Sequence, residues 1–456
     1  AWDNRGQKVC DTVRMNLASL PADACTLGAT GTNGPDRITR NVYDNAGQLL
    51  QVQKAYGTSL QQNYVTYTYT NNGKQASVTD ANGNLATLAY DGHDRLAKWT
   101  FPSKTAPGQV NPADYEAYGY DAAGNRTSLR KRDGVTLTYQ YDGLNRNTVK
   151  SVPTSASGAP GYTVYYGYNV QGLQTYARFG STSGQGVTNA YDNLGRLTSS
   201  TTNMGGFSRT LSYSYDAGSR LSRITHPDGT YFDMSFDPAG RMTYLQDSQP
   251  AGVVAINYDN TGKRGSRLSG SWTYYDQIDR LNSLQEAMTG GTGSVTASFS
   301  FNPGSQIATR TRDNDTYAFN SYVAADRPYT ANGLNQYASV SGATYGYDAN
   351  GNLSSDGSNT YTYDAENRLV GSSLAGGTSL TYDPLGRLWQ TSSPTNGTTQ
   401  FLYDGDKLAA EYNSSGTVLR RYTWGSGVDE PLVWYEGATI GTGNARLLKQ
   451  DHQGSV

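Results

Sequence analysis

A seven-residue signature, Tyr-Asp-x-x-Gly-Arg-Leu, recurs along this chain and constrains its fold more than any other feature. It is complete at Tyr191-Asp192-Asn193-Leu194-Gly195-Arg196-Leu197 and at Tyr382-Asp383-Pro384-Leu385-Gly386-Arg387-Leu388. Looser copies begin at Tyr43, Tyr90, Tyr120, Tyr141, Tyr168, Tyr215, Phe236, Tyr258, Tyr275, Phe301, Tyr347, Tyr363 and Tyr403, with a fainter one at Tyr69. Most spacings fall near about 20 residues, the period of solenoids and arrays.

The letters of the signature have local physical reasons. Tyr67-Thr68-Tyr69, Tyr139-Gln140-Tyr141, Tyr213-Ser214-Tyr215 and Tyr361-Thr362-Tyr363 alternate, which puts both rings on one face of a strand and the polar residue on the other. Asp opens a turn, because its carboxylate accepts backbone N–H groups two or three residues on. Gly, three residues after Asp, supplies the positive φ that a type I turn followed by a left-handed residue requires. Arg-Leu leads the chain out, so that Leu197 and Leu388 return toward a core. Each unit is a β-hairpin too small to stand alone. The expectation is an all-β protein, a long antiparallel ribbon of hairpin repeats whose tyrosine rings stack into ladders at about 0.2–1 kcal/mol per neighbouring pair. Asp and Arg at fixed offsets are expected to pair along the stack, the smaller contribution at about 0–1 kcal/mol per exposed pair.

Composition agrees with a thin wall. Hydrophobic residues reach only 36% with 37 Tyr included, and Gly numbers 53. Disorder is not expected, since it favours few aromatics and high net charge, whereas net charge here is −2. The 36 Lys+Arg against 38 Asp+Glu form no basic stripe, so no nucleic-acid partner is indicated. No apolar run approaches the roughly 18 residues of a membrane span. Residues 1–40 precede the repeat and read as an entry segment, 41–400 as the repeat array, and 401–456, richer in Trp and Leu, as a C-terminal segment folded against the array's end. Proline- or glycine-rich loops at 102–114, 153–160 and 288–294 are expected along one rim. The chain opens Ala1-Trp2 without an initiator Met or signal peptide, which reads as a boundary inside a longer protein. Cys10 and Cys25 are either a disulfide, contributing around 3 kcal/mol for such a loop, or two unpaired core residues.

Chemistry is sparse. His93 lies in a repeat turn, His226-Pro227-Asp228-Gly229 reads as a β-turn, and His452 is expected to be structural. Gly-x-Ser-x-Gly is absent and no nucleophile–base pair is legible, so no catalytic residue is assigned. Asp80-Ala81-Asn82-Gly83-Asn84 and Asp348-Ala349-Asn350-Gly351-Asn352 open like calcium loops, but Leu85 and Leu353 stand where glycine is required and no Glu follows at the twelfth position. They read as repeat turns. Asp313-Asn314-Asp315 and Asp404-Gly405-Asp406 are weak cation candidates. No metal or cofactor is expected. Aromatic faces also suit sugars, with the irregular loops instead of the ladder as the expected place.

The repeat resembles the YD-repeat (rearrangement hotspot, Rhs) family. The specific matches are Asn332-Gly333-Leu334-Asn335-Gln336-Tyr337, Tyr347-Asp348-Ala349-Asn350-Gly351-Asn352-Leu353 with Tyr363-Asp364-Ala365-Glu366-Asn367-Arg368-Leu369, and Gly427-Val428-Asp429-Glu430-Pro431-Leu432 with Asp451-His452-Gln453-Gly454-Ser455-Val456. The last resembles the start of the Rhs-associated core, so 401–456 would be a truncated core. The resemblance implies a ribbon spiralling into a hollow shell or barrel-like solenoid, a non-enzymatic structural role, and a C-terminal toxin or other polypeptide cargo as partner. It implies a secreted or bacterial cell-surface protein. The family's Asp-rich self-cleavage motif and toxin are not in this sequence, so neither is carried over. A rival expectation is a surface adhesion or fibre-forming module, self-associating through open sheet edges and possibly binding carbohydrate.

Overall fold

The computed structural model describes residues 1–451 except 250, 251, 268, 269, 289, 317, 320 and 442. Among these residues regular structure is β-strand apart from one 3-10 turn, Leu374–Gly376. From Cys10–Val13 to Ile307–Arg312 the chain forms one 25-stranded antiparallel sheet, each strand pairing with its neighbour in sequence. Small sheets of three and two strands follow, then a nine-stranded sheet from Tyr361–Tyr363 to Ala445–Leu447. Pairing crosses residue 400 through Gly397–Asp404 against Lys407–Asn413, so the shift in composition there accompanies no break in the sheet.

Alternation along the strands follows the expected pattern. In Thr136–Tyr141 the residues Thr136, Thr138 and Gln140 are exposed, Leu137 is buried, and Tyr139 and Tyr141 are half-buried. Among the described residues no ladder joins the first strand to the last. The ribbon is therefore an open coil, the long antiparallel spiral expected from the sequence, with no closed barrel among the described residues. Successive turns of the coil meet through side chains and single backbone contacts instead of a strand ladder.

Those contacts trace the winding. Arg37 reaches Gln306 across 269 residues of chain, Asn335 reaches Asp80 across 255, and Lys150 reaches Glu366 across 216. Later contacts span less: Arg209 to Gln400 across 191, Tyr435 to Asp247 across 188 and Arg264 to Glu430 across 166. One circuit uses fewer residues as the chain proceeds, so the coil tightens.

The ribbon has two rims. The signature turns occupy one, and the connections between hairpins, including 80–84, 102–109, 131–134 and 153–161, occupy the other. In the first half of the seam the connecting rim of one turn abuts the signature rim of the next: Gly333 donates its N–H to Lys104 O at 3.0 Å, and Ser157 Oγ donates to Tyr363 O at 2.6 Å. A Cβ on Gly333 would lie 2.1 Å from Ser103 O, so only glycine permits this approach. Further along, the seam carries the apolar core. Phe232, Met242, Leu245, Val254 and Ile256 pack on Leu432, Val433, Tyr435 and Ile440. Leu211 and Tyr213 pack on Leu402, Ala409, Ala410 and Tyr412.

At the N-terminus Cys10 and Cys25 are disulfide-bonded with Cα atoms 5.4 Å apart. Buried Asp36 organises the same segment, accepting from the backbone N–H of Met15 and Gly28 and from Arg14. Replacing both cysteines by serine removes the constraint on a loop of 15 residues, a loss of about 3 kcal/mol. The expected result is faster amide exchange in Cys10–Val13 and Arg37–Tyr43, with Thr378–Tyr382 unchanged.

Candidate functional site

The recurring turn is a closed hydrogen-bonded device. Asp192 Oδ1 accepts from the backbone N–H of Leu194 and Arg196, each at 2.9 Å, and its Oδ2 accepts from Arg196 Nε at 2.7 Å. Asp383 repeats this with Leu385 and Arg387 at 2.9, 3.0 and 2.7 Å. The N–H groups taken are two and four residues on. The third belongs to the turn itself, since Gly195 donates its N–H to Asp192 O at 3.0 Å. The Arg196 backbone N–H above all, with its guanidinium, holds the Asp192 carboxyl below its ordinary range. Gly195 and Gly386 take φ of 79° and 88°. Asp94, Asn145, Ser219, Asp279, Ser305, Asn335 and Asn367 take the same left-handed conformation in other copies, mostly the residue types that tolerate it. Leu197 and Leu388 pair with Tyr191 and Tyr382 across a bulge and are half-buried.

The complete signature turns are also tied to their neighbours in both directions, and looser copies in one or both. Backward, the tyrosine hydroxyl donates to a carbonyl at the base of the preceding hairpin: Tyr191 to Gln174 O at 3.0 Å, Tyr215 to Leu197 O at 2.9 Å, and Tyr382 to Leu369 O and Tyr403 to Leu388 O at 2.7 Å. Tyr69, Tyr90, Tyr120, Tyr141, Tyr168 and Tyr258 do the same. Where the signature fades, Trp424 Nε1 donates to Leu408 O at 2.7 Å. Forward, the guanidinium lies over the next aromatic ring. Arg196 sits 4.7 Å from the Tyr215 centroid, Arg220 5.0 Å from Phe236, Arg368 4.6 Å from Tyr382 and Arg387 5.1 Å from Tyr403. Among the described residues no ring–ring contact joins two signature positions. The expected tyrosine ladder is thus corrected to an alternating one, ring and cation, because the arginine paired with its own Asp is held at the height of the next ring.

The remaining candidates find structural places. His93 is an exposed turn residue whose backbone N–H donates to Asp91; His452 lies outside the described residues. Asp80 accepts from Asn82, Asn84 and, across the seam, Asn335 Nδ2 at 2.7 Å. Asp348 accepts from Asn352. Asp313 Oδ1 accepts from Thr296 N–H and Asp315 pairs with Arg312. Asp404 accepts from Tyr213 Oη at 2.9 Å and burial raises its pKa. Among the described residues no three His, Cys, Asp or Glu side chains are grouped to hold a metal.

His226 is buried at the seam, edge-on to Phe232, with Nδ1 unpartnered among the described residues. Arg421 lies beside it, fully buried and paired with Asp228. Nothing in the sequence marks Arg421, since its partner lies 193 residues away. Glu366 is similar: it accepts from Lys150 at 2.7 Å and from Tyr162, joining the two turns.

Comparison with known proteins gives consistent findings. A family model described as Teneurin YD-shell matches residues 29–159 and 153–320, and one described as RHS Repeat matches 347–379. The tRNA nuclease WapA of Bacillus subtilis (strain 168) is 36% identical over 99 residues, 20% of this chain and 4% of that protein. The probable deoxyribonuclease RhsB of Dickeya dadantii (strain 3937) is 26% identical over 262 residues, 55% of this chain and 17% of that protein. The crystal structure of TcdB2-TccC3-Cdc42 superposes with a TM-score of 0.57 at 13% identity, covering 95% of this chain and 28% of the other. TcdB2-TccC3 without its hypervariable C-terminal region gives 0.54 at 12%, covering 96% and 28%. The chain thus spans a small part of these relatives, and the nuclease activities in their names are theirs.

Two outcomes test this geometry. Tyr215→Phe keeps the ring under Arg196 and loses only the bond to Leu197 O, an expected cost of about 1 kcal/mol. Tyr215→Ala also loses the ring and should cost about 3 kcal/mol; urea denaturation of the two variants separates hydroxyl from ring. Burial, reinforced by Arg421 and opposed by Asp228, lowers the His226 pKa from 6.5 to about 4. The unfolded chain takes up this proton at higher pH than the folded one, so the contribution is complete above pH 6.5 and is lost as pH falls to about 4. That loss, about 3 kcal/mol, should disappear from the pH dependence of unfolding in His226→Phe.

Proposed function

Because this chain belongs to the YD-shell family, we propose that its structural shell serves to enclose a polypeptide cargo, a toxin region of the same parent protein. The observation that carries the reading is the tightening coil: contacts between turns shorten from 269 to 166 residues of intervening chain. A ribbon wound at constant circumference makes a tube, whereas one whose circuit shrinks makes a dome. The seam is filled by apolar clusters and charge pairs, which suits a wall that keeps proteases from a guest. Toxin cargo is favoured because relatives of which this chain covers only 4% and 17% are named as nucleases. A secreted or cell-surface location belongs to the same reading and agrees with a disulfide.

Limited proteolysis of the parent protein carrying its downstream region tests enclosure. The cargo should resist digestion until the shell is unfolded, and the seam variant Arg421→Ala should expose it earlier. Rapid loss of that region while the repeat stays intact would remove the reading.

A further inference from the structure

The 25-stranded sheet ends inside the chain, at Ile307–Arg312, and that end is bare. This strand pairs with Val295–Phe301 along one edge and with no strand along the other among the described residues. All six of its residues are exposed, unlike any other strand of five or more residues whose burial is described. An unpaired row of peptide N–H and C=O groups is a template for strand addition.

The strand's charge selects what can add. Register places Arg310 opposite Phe299 and Arg312 opposite Ala297, so both arginines lie on the face that carries the Leu284, Ala297 and Phe299 cluster. Arg310 makes no hydrogen bond or ion pair among the described residues, and Arg312 pairs only with the exposed Asp315 at 2.9 Å. Both arginines line a cavity of about 360 Å³ with Met288 and Val295, along with Asp451 and with Glu286, which pairs with Lys449 at 3.2 Å. The chain leaving this strand exposes Phe319, Tyr322 and Val323 at 66, 79 and 83%. Pairing with a second copy of the same strand would gather four guanidinium groups with no carboxylate in either strand, and like charges on neighbouring strands destabilise pairing.

We propose that the free edge of Ile307–Arg312 binds an extended acidic polypeptide by strand addition, with carboxylates at alternate positions opposite Arg310 and Arg312. Main-chain hydrogen bonds supply the affinity and the arginine pair selects the sequence. This stands independently of the enclosure reading.

The test is fluorescence anisotropy with a labelled peptide of about nine residues, capped at both ends and alternating Val with Glu. It should bind saturably. Binding should fall by about tenfold or more when alternate amides are N-methylated, when Lys replaces Glu, and in the doubly substituted protein Arg310→Glu, Arg312→Glu, shown by circular dichroism to be folded. Equal binding of the N-methylated or the Lys peptide, which need no protein variant, would overturn the proposal, as would no saturable binding up to about 1 mM. Dimers in sedimentation that the double substitution dissolves would give the edge to a second copy and overturn it equally.

Discussion

The aspartate carboxylate of the signature turn is the point on which the structure depends. One oxygen of Asp192 fixes the turn through two backbone N–H groups and the other fixes Arg196 through Nε. Because Nε is taken from within the turn, the guanidinium cannot wander, and its face meets the ring of Tyr215 in the next copy. That ring's hydroxyl returns to Leu197 O, one residue beyond Arg196. The loop from Asp192 through Arg196 and Tyr215 to Leu197 therefore closes on itself, and repetition of such loops sets the pitch between hairpins. An exposed ion pair alone contributes little. Here its value lies in aiming a cation at a ring, which local pairing energy does not measure.

Regular pitch alone would leave a floppy strip, since each hairpin touches only its neighbours in sequence. Stiffness comes from the seam, where contacts are irregular and individual. Gly333 admits Lys104 O, Glu366 gathers Lys150 and Tyr162, and Arg421 reaches Asp228 beside buried His226. The seam also changes character along the coil, from amide and carboxylate contacts around Asn335 to an apolar core around Tyr435. Greater burial accompanies shorter circuits, as a more curved ribbon brings more of its face against the preceding turn.

This division explains what could be read from the sequence. The hairpins, the alternation of faces, the left-handed position at Gly195 and the Asp-led turn are local, and a period of about 20 residues displays them openly. The partners of Arg196 were misplaced: its pairing was expected along the stack, whereas it closes on Asp192 of its own turn, and its place over Tyr215 depends on the rise between copies. Seam residues were illegible because Asp80 and Asn335, or Asp228 and Arg421, stand 255 and 193 residues apart with no shared pattern. His226 was read correctly as a turn residue, yet its burial arises only when the second turn covers it. The tyrosine ladder was misread because spacing reveals which rings recur and not what lies between them.

A wall one sheet thick exposes much of two faces, and that constraint accounts for the chemistry of the repeat. An aliphatic strip would need a second layer to bury it, whereas Tyr and Arg present apolar bodies to one another and keep polar ends satisfied. Phe236 and Phe301 show which part of the unit is dispensable: both keep the cation above the ring, with Arg220 and Arg280 at 5.0 and 4.6 Å, without a hydroxyl to donate. The reverse also occurs: Tyr69, Tyr90, Tyr141 and Tyr191 keep the hydroxyl bond where Gln48, Lys74, Asn125 and Leu173 stand at the arginine position, so either link can join two hairpins when the other is missing. Aliphatic residues then concentrate where a second layer does exist, at the late seam around Leu245 and Leu432. The distribution of apolar side chains along this chain is thus a record of where the coil covers itself.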